Sequence, residues 1–238
     1  MALDIYVGTL SRYYSRQWET LGQQLARIQG VEYEGVRPES APDTEEEADP
    51  EEVRGLVLDW RNGLSQGLKE YLPTGLDWSE DWSAGYVTDR PAWDCYSALI
   101  LWAAYSEHPD LSKPEVAPEN WTEDPAFQRA VGEGSATRYT HLLYGAEWWL
   151  PYDFEIVFQA PTPVGNVIQF GSSVQVRRQL DALNHRTWNA DAQSVDEWHH
   201  AGADFGAPFE VSARFGFSVL HRMASVSVES GLPMVMDY

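Results

Sequence analysis

Residues 208–236 read PFEVSARFGFSVLHRMASVSVESGLPMVM, and this stretch decides the fold. Val211, Phe215, Val219, Met223 and Val226 recur at spacings of three and four, the period of an α-helix. Phe217, Leu220, Ala224 and Val228 form a second stripe of the same period. A helix with two apolar faces needs neighbours on both. Gly231 and Pro233 stop it, and Met234 to Met236 supplies a final strand. The other end of the chain answers it: Leu3 to Val7 carries the β-formers Ile5, Tyr6 and Val7 ahead of Gly8 and reads as a strand.

Between these ends the patterning is mostly helical. Trp18, Leu21, Leu25 and Ile28 mark one stripe closed by Gly30, and Val31 to Val36 reads as a second strand. A helix over about Glu51 to Leu72 places Val53, Leu56, Trp60, Leu64, Leu68 and Tyr71 on one face. Pro91 to Glu107 is the most apolar helix, with a short one following at Pro125 to Val131. Ser135 to Leu150 fits helix or strand. Phe154 to Phe158 and Val167 to Phe170 flank Pro161-Thr162-Pro163-Val164-Gly165-Asn166, a hairpin signal. Ser172 or Ser173 caps a further helix containing Val176, Leu180 and Leu183, and Ser194 to His200 forms another. The expected fold is α+β, one domain over residues 1–238. Its helices pack on a small mixed or antiparallel sheet that includes the hairpin near 154–170 and both terminal strands.

Across 238 residues there are 37 acids, 16 bases and a net charge of −21, with 43% hydrophobic and 22% charged residues. That balance belongs to a folded protein. The charge is uneven. Residues 1–38 hold four acids and four bases; residues 39–125 hold 21 acids and five bases; residues 126–238 hold 12 and seven. Residues 39–52 alone contain eight acids, two prolines and no base, which predicts a mobile acidic loop. Without a clustered Lys/Arg surface the chain is not expected to bind nucleic acid or an anionic membrane. No signal-peptide pattern and no apolar run long enough to span a bilayer is seen. With a single cysteine, Cys95, the expected compartment is the bacterial cytoplasm. The sequence does not specify an oligomeric state.

Two clusters invite a chemical reading. Asp77, Trp78, Glu80, Asp81 and Trp82 combine carboxylates with aromatic anchors, the residue types that steer and hold a basic protein partner. His185, Asp196, His199 and His200 combine nitrogen and oxygen donors, with Asp196 and His200 one helical turn apart, and would suit a divalent metal in a small hydrolase. No HExxH or GxSxG motif and no phosphate-cradling glycine loop accompanies them. The reading therefore favours a cofactor-free binding protein over an enzyme, with a scaffold subunit as the remaining alternative.

Tyr6-Val7-Gly8-Thr9-Leu10-Ser11-Arg12-Tyr13-Tyr14 with Trp18-Glu19, together with Gly231-Leu232-Pro233-Met234-Val235-Met236-Asp237-Tyr238, resembles the two ends of an uncharacterised family of bacterial proteins. In size and acidity the chain also resembles immunity proteins of bacterial toxin systems. That resemblance implies an inhibitor that masks the active site of a basic nuclease.

Overall fold

A computed structural model describes residues 3–32, 49–132 and 136–238. Six strands form one mixed sheet: β1 (Asp4–Val7), β2 (Val87–Asp89), β3 (Trp148–Leu150), β4 (Phe158–Pro161), β5 (Val167–Ser172) and β6 (Met234–Asp237). Their order is β2-β1-β6-β3-β5-β4. The terminal strands pair antiparallel as expected, with Ile5 opposite Met236 and Tyr6 opposite Val235, and only β3 and β5 run parallel. Among the described residues the helices are α1 (Leu10–Tyr14), α2 (Leu21–Gln29), α3 (Pro50–Gly67), α4 (Trp93–Glu107), α5 (Pro125–Gly132), α6 (Thr140–Leu143), α7 (Ser173–Thr187), α8 (Ala192–Ala201) and α9 (Phe209–Ser230). The fold is α+β.

The 22-residue α9 is the hub that its two apolar stripes predict, packing against α4, α7, α8 and the sheet. Gly231 ends it in the left-handed conformation at φ 66°. At Gly216 the backbone of α9 lies directly on that of α4: a Cβ there would collide with the Cys95 carbonyl and sit 3.3 Å from Leu99 Cβ. The other face of the sheet carries aromatics, where Trp148 packs against Tyr13, Tyr14, Trp60 and Phe170. The buried side chains of both faces form one continuous cluster.

Several expectations shift. The hairpin lies at β4 and β5, so Phe154 is buried but outside the strand, and pairing starts four residues later at Phe158. In α3 the inward positions are Val53 and Val57, while Leu56 faces solvent, and the helix ends at Gly67, so the exposed Tyr71 lies beyond it. Asp49 caps α3, accepting from the Glu51 amide at 3.0 Å with Pro50 in the first turn, so Pro50 to Glu52 are helical. The rest of the acidic stretch, residues 39–48, and most of the strand expected over Val31–Val36 fall outside the described residues.

His141 ties α6 to the sheet. Its Nδ1 accepts from the Ser172 amide at 3.0 Å, which leaves Nε2 protonated to donate to the Glu155 carbonyl at 3.1 Å. Burial pushes its pKa down to about 4, against the smaller opposing effects of the Glu155 carbonyl and Asp153. Below the unfolded value of about 6.5 the unfolded chain takes up a proton that the folded chain refuses. His141 therefore contributes fully above pH ~6.5, and its contribution, about 3 kcal/mol, is lost as pH falls toward 4. Urea unfolding as a function of pH should show this slope, and His141→Gln should flatten it. At the helix contact, Gly216→Ala should destabilise by about 1–3 kcal/mol despite alanine's better helix propensity. An unchanged urea midpoint would mean that α4 and α9 are not in backbone contact.

Candidate functional site

The loop joining α3 to β2 has no regular secondary structure over residues 76–81, and its side chains alternate. Leu76, Trp78 and Glu80 are buried, whereas Asp77, Ser79 and Asp81 are exposed. Inward aromatics supply the anchor. Trp78 packs between Trp60 and Tyr152, with ring centroids 6.1 and 6.3 Å away, and the Arg61 guanidinium lies 5.6 Å over its ring.

Glu80 is 4% exposed, yet its carboxylate has four donors. Oε1 accepts from Trp78 Nε1 at 2.6 Å and the Leu10 amide at 3.2 Å; Oε2 accepts from the Ser11 amide at 2.8 Å and Ser11 Oγ at 2.7 Å. A buried carboxylate is tolerable when its lone pairs are filled in this way. These bonds fasten the loop to the start of α1. Arg12 and Arg61 donate to the Trp82 and Trp78 carbonyls, and Tyr152 Oη receives the Asp77 amide at 2.6 Å.

Of the five binding residues expected here, Trp78 and Glu80 thus face inward as supports, Trp82 is half-buried, and Asp77 and Asp81 present charge to solvent. Asp77 is 92% exposed, with Arg61 Nη2 3.7 Å away. The Ser83 backbone N–H and hydroxyl hold the Asp81 carboxyl below the usual carboxylate range, so it stays ionised. The alternation was readable as Leu76-x-Trp78-x-Glu80, but a charged residue in phase with the apolar positions disguises it. Nearby on α3, Glu52 and Asp59 are exposed and make no ion pair among the described residues.

The four proposed metal ligands do not meet as one group, though Asp196 Oδ2 and His200 Nδ1 lie 3.5 Å apart on α8. His199 Nε2 lies 2.8 Å from Asp89 Oδ2, and Arg222 Nη1 shares that oxygen at 3.1 Å, which puts a cation where a metal would sit. His200 bonds the Asp196 carbonyl within its own helix, and His185 is exposed on the last turn of α7. No group of three His, Cys, Asp or Glu able to hold a metal occurs among the described residues. Asp89, the buried acid on β2, holds both α8 and α9. Cys95 is buried and its thiol is pushed up to about 12, mainly by burial, so it is no nucleophile. Among the described residues, no helix is long and apolar enough to cross a membrane.

Fold and surface together define an acidic α+β protein whose distinctive feature is carboxylates fixed at its surface. The chain belongs to the family described as "Putative DNA-mimic protein", whose model matches residues 1–236. No curated protein and no solved structure matches it. The family match supports the resemblance to an uncharacterised family and gives no support to the immunity-protein resemblance. It also corrects the exclusion of nucleic acid. Acidity does disfavour DNA as a ligand, but it is what an imitation of DNA requires, so nucleic acid enters as the molecule imitated.

Glu80→Ala should destabilise by about 3–5 kcal/mol, because it strands two backbone amides and the Trp78 indole N–H. Glu80→Gln, keeping one acceptor oxygen, should cost about half as much. Asp77→Asn should stay within about 0.5 kcal/mol. Denaturant titration of the three variants checks the inward–outward division; equal effects at positions 77 and 80 would refute it.

Proposed function

We propose that this protein acts in the bacterial cytoplasm by occupying the DNA-binding surface of a basic protein, with its exposed carboxylates in place of phosphates. The observation that carries the reading is the whole-chain match to a DNA-mimic family on a chain of net charge −21. Masking of a nuclease, the immunity-type role, is one case of it, since a nuclease also offers a basic groove.

Spacing supports the loop and α3 as the imitating surface. An extended chain advances about 3.3 Å per residue, close to the ~3.4 Å rise per phosphate along one DNA strand. Asp77 and Asp81, the outward carboxylates of this stretch, therefore stand up to about 13 Å apart, roughly four phosphate steps. On α3, Glu52 and Asp59 lie two turns apart on one face, about 10.5 Å along the axis, or roughly three phosphate steps. Carboxylates held by the Glu80 and Arg61 anchorage need little ordering on binding, which favours affinity.

Immobilised protein should capture a DNA-binding protein from lysate of the source organism, and a short DNA duplex should release it competitively. Once that partner is purified, its association rate should fall at least about tenfold from low to high salt. The combined variant Glu52→Gln, Asp59→Asn, Asp77→Asn, Asp81→Asn should fold normally and lose most of this rate. Salt-independent association, or capture that DNA does not compete, would rule the proposal out.

A further inference from the structure

Helix α2 is built inside out. Leu21, Leu25 and Ile28 line one stripe at i, i+4 and i+7, yet none of them joins the core. Leu25 is 47% and Ile28 74% exposed, and Val31 just beyond is 56% exposed. The residue that α2 buries is the small Ala26. Both ends are well made: Thr20 and Gln23 form a reciprocal capping box, and Gly30 closes the helix at φ 67°. Polar contacts hold α2 to the body, through Gln24 Nε2 to Thr88 Oγ1 at 2.9 Å and to the Glu19 carbonyl at 2.9 Å. A nine-residue helix is marginal in water unless its apolar face is covered.

We infer that a second copy of this chain covers it, α2 against α2, in a two-fold symmetric dimer. Charge selects this occupant. Within α2 Arg27 is the only charged side chain, whereas residues 39–125 carry 21 acids against five bases. Two copies repel one another through acidic surfaces and can approach where the surface is neutral. Beside the stripe, Glu19 and Arg27 already neutralise each other at 3.0 Å. A basic partner is drawn to the acidic surface and gains no charge contact here. The stripe is self-complementary: in an antiparallel pair centred near Leu25, Leu21 of each copy meets Ile28 of the other, as a two-fold interface requires.

Light scattering on the purified protein over a micromolar concentration series tests this. The full chain should reach twice the mass of one chain, and high salt should preserve or strengthen the dimer. Leu25→Glu and Ile28→Glu should each raise the dissociation constant at least about tenfold. Because both positions are exposed, their circular dichroism should show a folded protein, and the unfolding temperature should rise with protein concentration for the parent only. Leu25→Cys tests the geometry separately, since Cys95 is buried: oxidation should yield a cross-linked dimer. A chain that stays monomeric throughout the series, a dimer unaffected by both glutamates, or a dimer dissolved by salt would overturn the inference. The assay uses the protein alone, so its outcome is independent of whether the DNA-mimic reading holds.

Discussion

A carboxylate can stay inside a protein only if donors are brought to it, and Glu80 draws its four from two parts of the chain. The Leu10 and Ser11 amides stand at the start of a five-residue helix, and the Trp78 indole sits two residues away in its own loop. Neither partner makes sense alone. The short helix has no regular pattern to stabilise it, and the loop has no ladder hydrogen bonds. Joined through Glu80, they hold each other, and Arg12 and Arg61 fix the loop carbonyls on either side. The consequence is outward. Because positions 76, 78 and 80 are pinned inside, positions 77, 79 and 81 have no choice of direction.

The charge of −21 accordingly divides into two populations. Inside, acids are matched: Asp4 takes a bidentate pair from Arg90 at 2.9 and 3.0 Å, and Asp89 serves His199 and Arg222 together. Their role is to staple β1, β2, α8 and α9. Outside, acids such as Glu52 and Asp59 are left without counter-charges among the described residues. A surface of one sign repels itself and lowers the stability of the compact state. Pairing the buried acids with their own cations keeps that cost at the surface.

Local patterns carried much of the fold. The apolar run of α4, the Ser172 cap, the left-handed Gly231 and the Phe217, Leu220 and Ala224 stripe of α9 each depend on neighbours in sequence, and each is where the sequence predicts it, whereas Val211 of the other α9 stripe is 41% exposed. The departures come from distant contacts. The five-residue α1 depends on an acid 69 residues away from Ser11. The start of β4 depends on the register of β5, so Phe154 fills the core without joining the ladder. At the candidate site the residue types were legible and their directions were not. The sequence places Asp77, Trp78, Glu80, Asp81 and Trp82 together, but only packing tells which of them face solvent. The histidine segment shows the same dependence on packing. His199 reaches across to Asp89 on another element, and sequence adjacency to His200 carries no information about that.

The neutral first 38 residues belong to the same logic as the acidic remainder. A protein that imitates DNA must keep its acidic surface free, so any association between copies has to use another part of the molecule. Helix α2 offers apolar side chains, a self-neutralising Glu19–Arg27 pair and no net charge to oppose contact. Many DNA-binding proteins are themselves two-fold and read two half-sites about one helical turn apart. A two-fold mimic would present its carboxylates in two related sets, matching that symmetry without any single surface having to span both half-sites. The stripe on α2 would then set the distance between the two acidic surfaces, and with it the class of partner the mimic can fit.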